Sequence, residues 1–144
     1  MSQQPIVKGF YKVIKKKKVK REEKVQLAVC KYLRDNHPDV VFWCDLASGM
    51  RLPIDIAAMN KRMRSSRGIP DLFIAQPRGV LSGLFLELKG PDVKVFKKDG
   101  SLRSDNHLQE QEDVLRKLRD CGYRAEFACG YAHAVEIIDH YLSK

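Results

Sequence analysis

Asp71, Glu87 and Lys89 are the residues in this 144-residue chain whose types and spacing could do chemistry. Glu87 and Lys89 lie in the run Leu84-Phe85-Leu86-Glu87-Leu88-Lys89. Side chains alternate across a strand, so Leu84, Leu86 and Leu88 share one face and Phe85, Glu87 and Lys89 the other. With the leucines turned to a core, Glu87 and Lys89 stand side by side on the opposite face of a well-anchored strand. Alone, such a pair reads as an ordinary ion pair. Asp71 changes that reading. It opens the preceding strand directly after Gly68-Ile69-Pro70, a turn able to hold its carboxylate in place. If the two strands pair, Asp71 and Glu87 converge on one hard cation, and Mg²⁺ takes a few carboxylate oxygens together with waters and phosphate oxygens. Such an ion lowers the pKa of its water and neutralises charge building on a scissile phosphate. Lys89 is placed to orient that water or to meet the charge of the pentacovalent phosphorus. The chemistry implied is phosphodiester hydrolysis.

Two more polar residues stand where helical stripes should be apolar. The inward row of a helix beginning near Asp105 or Asn106 is Leu108, Gln111, Leu115 and Leu118. A glutamine in that row needs buried partners or faces something polar, such as a metal-bound water. Glu22 lies one turn before Val25 and two before Val29, with Gln26 at the edge of the same stripe. Glu23 points away, which makes Glu22 the candidate; its alternative role is at the helix end.

The elements that must position these residues follow from periodicity and turn residues. Residues 22–35 carry an amphipathic stripe of Val25, Ala28, Val29, Tyr32 and Leu33, stopped by Asn36-His37-Pro38. Val40 to Leu46 reads as a buried strand, and Pro53 suits the first turn of a helix through about Arg64. A strand from Asp71 to Ala75 and one from Gly83 to Lys89 form an antiparallel hairpin. Residues 90–106, with Pro91 and Asp99-Gly100, make a long polar excursion with its own small hairpin. The helix after it runs to Cys121 with Gly122 at C′. Tyr123 to Cys129 alternates as a strand, and a last helix from about Tyr131 to Leu142 buries Ala134, Val135, Ile138 and Leu142. The order is α-β-α-β-β-α-β-α, an α/β sheet with helices on both faces.

The net charge of +9, from 27 Lys and Arg against 18 Asp and Glu, favours a polyanionic partner. Residues 1–21 hold Lys15, Lys16, Lys17 and Lys18 within a self-repelling basic run, expected as an extended arm ahead of a single domain over 22–144. It serves either as a solvated tail or as a strap over phosphates, and it also resembles a nuclear localisation signal. The four cysteines include no Cys-x-x-Cys pair, so zinc fingers and redox motifs are not expected, and Cys129 reads as a buried thiol. His107, His133 and His140 fall in helical stretches without metal-binding spacing. There is no apolar run long enough for a membrane span and no secretory leader, so a cytoplasmic protein is expected.

These residues resemble a known family. Gly68-Ile69-Pro70-Asp71, then Glu87-Leu88-Lys89, then Gln111 eleven residues before Gly122 look like the PD-(D/E)XK nuclease superfamily, and within it the virus-type replication-repair nuclease (VRR-NUC) domain. Glu22 and Gln26 fit that family's Glu-x-x-x-Gln helix, Gly49 and Arg51 its Gly-then-Arg loop, and Lys61 to Arg64 its basic helix. The resemblance covers residues 22–142. It implies a restriction-endonuclease-like mixed β-sheet flanked by helices. It implies Asp71 and Glu87 as metal ligands assisted by the Leu88 carbonyl, Glu22 as an outer ligand, Lys89 as catalytic, and Gln111 in support. The cofactor implied is Mg²⁺, with Mn²⁺ able to substitute, and the partner is DNA, branched forms included. Lys15 to Lys18, Arg51, Lys61, Arg64, Arg67, Lys97 and Lys98 are then the expected DNA contacts. Standalone members of that family are often phage or bacterial and can act as homodimers on four-way junctions. The 90–106 connection and the basic arm are departures from the family pattern. The reading from another class is a DNA-binding module that keeps the fold without activity.

Overall fold

The computed structural model describes residues 21–45 and 51–144. Its elements come in the expected order: α1 (Arg21–Asn36), β1 (Phe42–Cys44), α2 (Ile54–Arg62), β2 (Leu72–Ile74), β3 (Leu84–Lys89), α3 (Asn106–Asp120), β4 (Arg124–Cys129) and α4 (Gly130–Leu142). The strands form one sheet in the order β1-β2-β3-β4. Neighbours are antiparallel up to β3, and β4 joins β3 in parallel, the direction a helical crossover such as α3 permits.

Each face of the sheet has its own core. Leu84, Leu86 and Leu88 meet Leu72 and Ile74 from β2, Val25, Val29 and Leu33 from α1, and Ala134, Ile138 and Tyr141 from α4. On the other face Leu108 and Leu115 of α3 cover Ala125 and Phe127, with Val95 from the 90–106 connection. The layers are therefore α1 and α4, then sheet, then α3. On this second face an aromatic row crosses the sheet. Trp43 meets Phe73 edge-on at 4.8 Å, Phe73 stacks on Phe85 at 4.2 Å, and Phe85 meets Tyr123 edge-on at 5.1 Å.

Several local expectations change. Strand β1 is shorter than Val40 to Leu46; Leu46 lies outside the described residues. Asp71 precedes β2 rather than opening it. Helix α2 starts after Pro53 and ends at Arg62, so Arg64 is not helical; no residue of α2 is buried, and tertiary packing that would extend it is missing. In α4 Val135 is only half-buried, and Ile137 and Tyr141 are buried instead, because the inward stripe begins at Gly130 rather than Tyr131. Arg21, assigned to the arm, is the first residue of α1. The rest of that arm, with Lys15, Lys16, Lys17 and Lys18, lies outside the described residues, as does Gly49. Among the described residues no helix is long and apolar enough to cross a membrane.

Candidate functional site

Strand register brings the acidic residues together. Cys44 pairs with Leu72 and Leu72 with Leu86. Extending both registers by one residue sets Asp45 opposite Asp71 and Asp71 opposite Glu87. Two hydrogen bonds hold that extension: Asp45 N–H donates to the Asp71 carbonyl at 2.7 Å, and Leu88 N–H donates to Asp71 Oδ2 at 2.7 Å. Three carboxylates thus form a row beside the aromatic row, at the end of the sheet where β2 and β3 part.

Burial makes the row electrostatically costly. Asp71 is 2% exposed, Glu87 4% and Lys89 6%. Lys89 Nζ lies 3.1 Å from Glu87 Oε1, and Gln111 Nε2 donates to the same oxygen at 2.5 Å. The Asp71 and Glu87 carboxylates repel each other across this buried space, and Lys89 offsets that repulsion only in part. The consequence falls on Glu87, whose carboxyl is pushed up to about 8, first by burial and next by the Asp71 charge; Lys89 pulls it down, and Glu22 adds a smaller upward push. Glu22 is half-buried in the first turn of α1 and lines a cleft together with Lys89.

The surroundings fix this geometry from both sides. Gly68 has φ +76, and a Cβ there would stand 3.1 Å from the Cα of Gln111. Only glycine lets the Gly68-Ile69-Pro70 turn press against α3 at the residue that binds Glu87. At the other end, Asp105 caps α3 by accepting from Leu108 N–H at 3.0 Å, which fixes the rotation that turns Gln111 inward. Gln111 is 5% exposed, yet its Oε1 accepts no hydrogen bond among the described residues.

An acceptor without a donor beside two repelling carboxylates is a donor set that suits a hydrated divalent cation. The peptide of Leu88 adds to it. In a strand the N–H and C=O of one residue point to the same edge, so the Leu88 carbonyl faces the side from which its N–H reaches Asp71. Among the described residues no three His, Cys, Asp or Glu side chains converge as a metal-binding group. A cation here would therefore draw on two carboxylates, backbone and water, the sparse protein ligation that Mg²⁺ accepts.

No protein-family model and no curated protein matches the sequence. Among solved structures, one described as "VRR_NUC domain protein" superposes with a TM-score of 0.55 at 24% identity, covering 88% of this chain and 92% of that one. The chain has the VRR-NUC fold. A second solved structure, described as "VRR_NUC domain", aligns over 84% of this chain and 97% of its own, at 21% identity and a TM-score of 0.44.

Within this VRR-NUC fold two clefts flank the Glu87–Lys89 pair, one reaching Glu87 and the other Lys89. One, of about 820 Å³, is lined by Glu22, Lys89, Lys97 and Lys98. The other, of about 590 Å³, is lined by Glu87, Gln111, Lys61, Arg64 and Arg67. His107, one turn before Gln111 on α3, lines both. Five of the expected basic residues thus reach the site's margins. Arg64, however, forms an ion pair with Asp45 and donates from Nε to Asn60 Oδ1 at 3.3 Å, so its charge is engaged within the protein. Arg51 is exposed beside Leu52, a residue of the second cleft.

Sequence reasoning missed Asp45, the place of His107 between the clefts and the paired role of Arg64. Asp45 carried a usable signal: it alternates with Cys44 in a β-rich run, on the side of Trp43. For His107 the signal was its i, i+4 spacing to Gln111.

Proposed function

We propose that this chain is a metal-dependent nuclease that hydrolyses DNA phosphodiester bonds. The observation that carries the reading is the register of β2 and β3, which sets two buried carboxylates opposite each other with Lys89 and Gln111 on one of them and basic clefts on either side. Asp71 and Glu87 would hold Mg²⁺ or Mn²⁺, with the Leu88 carbonyl beside them and Glu22 at greater distance. The ion supplies an acidified water and charge neutralisation at the phosphate when bound. The chain's own groups do the remaining work. Lys89 orients the attacking water and favours the ionised form of Glu87 against its burial, Gln111 fixes the Glu87 carboxylate and offers its Oε1 to a water proton, and the buried strand pair keeps these atoms from relaxing. Lys61, Arg67, Lys97 and Lys98 take flanking phosphates, and Lys15 to Lys18 extend that contact from the arm.

Two clefts diverging from one site suit a branched substrate. A homodimer would present two such sites to a four-way junction of matching two-fold symmetry. Supercoiled plasmid incubated with Mg²⁺ should be nicked and EDTA should prevent it, and a synthetic four-way junction should receive paired nicks. Light scattering should return about twice the 16.6 kDa of one chain. The buried Lys89–Glu87 ion pair is also what a binding module without activity would keep. Plasmid left intact at every Mg²⁺ and Mn²⁺ concentration, but retained on a gel, would favour that second reading. A monomer that nicks plasmid yet spares junctions would overturn only the junction assignment.

A further inference from the structure

The connection between β3 and α3 forms a small hairpin. Arg103 N–H donates to the Val95 carbonyl at 3.0 Å and Lys97 N–H to the Ser101 carbonyl at 2.7 Å. Buried Val95 and half-buried Leu102 root it in the core under α3. Gly130 lets its base approach, since a Cβ there would stand 3.1 Å from that of Pro91. The hairpin is thus a fixed wall, and its polar side turns to the larger cleft with Lys94, Lys97, Lys98 and Arg103. One residue of that wall does not suit a purely electrostatic surface. Phe96 is 51% exposed, and its ring is held edge-on to Phe127 at 6.1 Å, which fixes the ring and leaves a face to the cleft.

The second cleft differs in kind. Its wall offers Lys61 and Arg67 with Ser65 and Ser66, and among the described residues no Phe, Tyr or Trp lines it. Cations and hydroxyls serve the backbone of any nucleic acid. An aromatic face among cations serves only a base that is out of its stack, since a duplex keeps its base faces covered. We infer that the larger cleft binds an unpaired DNA strand, with a base against Phe96 and phosphates on Lys97, Lys98 and Arg103, and that the smaller cleft, which offers groups for the backbone alone, is left to the paired part of the substrate. The scissile phosphate then lies where a duplex passes into a single strand. That placement rests on the nuclease reading; the binding preference does not.

Binding is measured by anisotropy on the full chain with Ca²⁺ in place of Mg²⁺, using a labelled single strand, a blunt duplex and a duplex with one single-stranded overhang. Phe96→Ala should weaken the single strand and the overhang by roughly 5- to 150-fold, the worth of one stacked base, and leave the blunt duplex within about twofold. Phe96→Trp should restore both, with tryptophan fluorescence quenched by the single strand and not by the duplex. Lys97→Glu with Lys98→Glu should flatten the salt dependence on the single strand by about 0.7 in log–log slope for each phosphate no longer neutralised. Equal losses on duplex and single strand, or no loss on either, would overturn the inference. So would a lowered melting temperature of Phe96→Ala with an unchanged preference between the probes, which would reduce Phe96 to packing on Phe127. A plasmid that resists Mg²⁺ while these preferences hold would remove the nuclease reading and leave the binding assignment standing.

Discussion

The two faces of β3 are chemically opposite, although Glu87 and Lys89 are buried as the leucines behind them are and only Phe85 is half-buried. Leu84, Leu86 and Leu88 sit among apolar side chains from α1, β2 and α4. Two residues beyond Phe85 on the other face, a step of about 7 Å, the neighbours turn from stacked aromatic rings to Asp71, Gln111 and Lys89. On the first face every contact lowers the free energy of the folded chain. On the second, burial sets the Asp71 charge against Glu87. One strand can carry both because its leucine face is strong enough to tolerate the strain of its acidic face.

Single substitutions on the two faces should break this contrast most visibly. Leu86→Ala is expected to cost about 2–5 kcal/mol, the range for a fully buried leucine, with cleavage by the remaining folded protein near normal. Asp71→Ala, Glu87→Ala and Lys89→Ala should each lower cleavage by at least about a hundredfold while DNA binding persists. Urea melts and single-turnover rates on the same preparations decide it. Wild-type cleavage by carefully purified Glu87→Ala would remove the assigned site.

A smaller effect sharpens the electrostatic half of the contrast. The Glu87 carboxyl rises from 4.5 to about 8 on folding. Between those values the folded chain holds a proton that the unfolded chain has released, so the contribution of Glu87 to metal-free stability should be fully present below pH 4.5 and be lost as pH rises to about 8. Melting in EDTA should show that decline for the wild type. Glu87→Gln, which cannot ionise, should lose this part of the slope. Parallel profiles for the two proteins would mean that Glu87 ionises normally when buried.

The smallest expected effect is at Gln111. Gln111→Ala removes a hydrogen bond to Glu87 and also a buried acceptor that has no donor, two changes of opposite sign of about 1–3 kcal/mol each. The melting temperature should move little while the cleavage rate falls about tenfold. A large loss of melting temperature with normal turnover would make Gln111 a purely structural residue.

Whatever depends on neighbours within a few residues is written in the chain itself. The alternation at 84–89 set the leucine face and placed Glu87 beside Lys89. A cap at Asp105 or Asn106 with the spacing of Leu108, Gln111 and Leu115 set α3 and its buried glutamine, with the structure deciding for Asp105, and the antiparallel pairing of the two middle strands followed from the turn residues between them. These features are legible because a strand has a period of two and a helix one of 3.6, whatever surrounds them. Helix α2 and the stripe of α4 were placed less well, since their limits depend on what packs against them. The row Asp45, Asp71 and Glu87 needed the folded molecule, because it depends on the register of three strands, and so did the pairing of Arg64 with Asp45 across 19 positions. Folding alone set Phe96 in the wall of a cleft that reaches Lys89. The physical reason is the same in each case: burial, charge repulsion and concavity are properties of groups brought together from distant parts of the chain, and no local periodicity encodes their meeting.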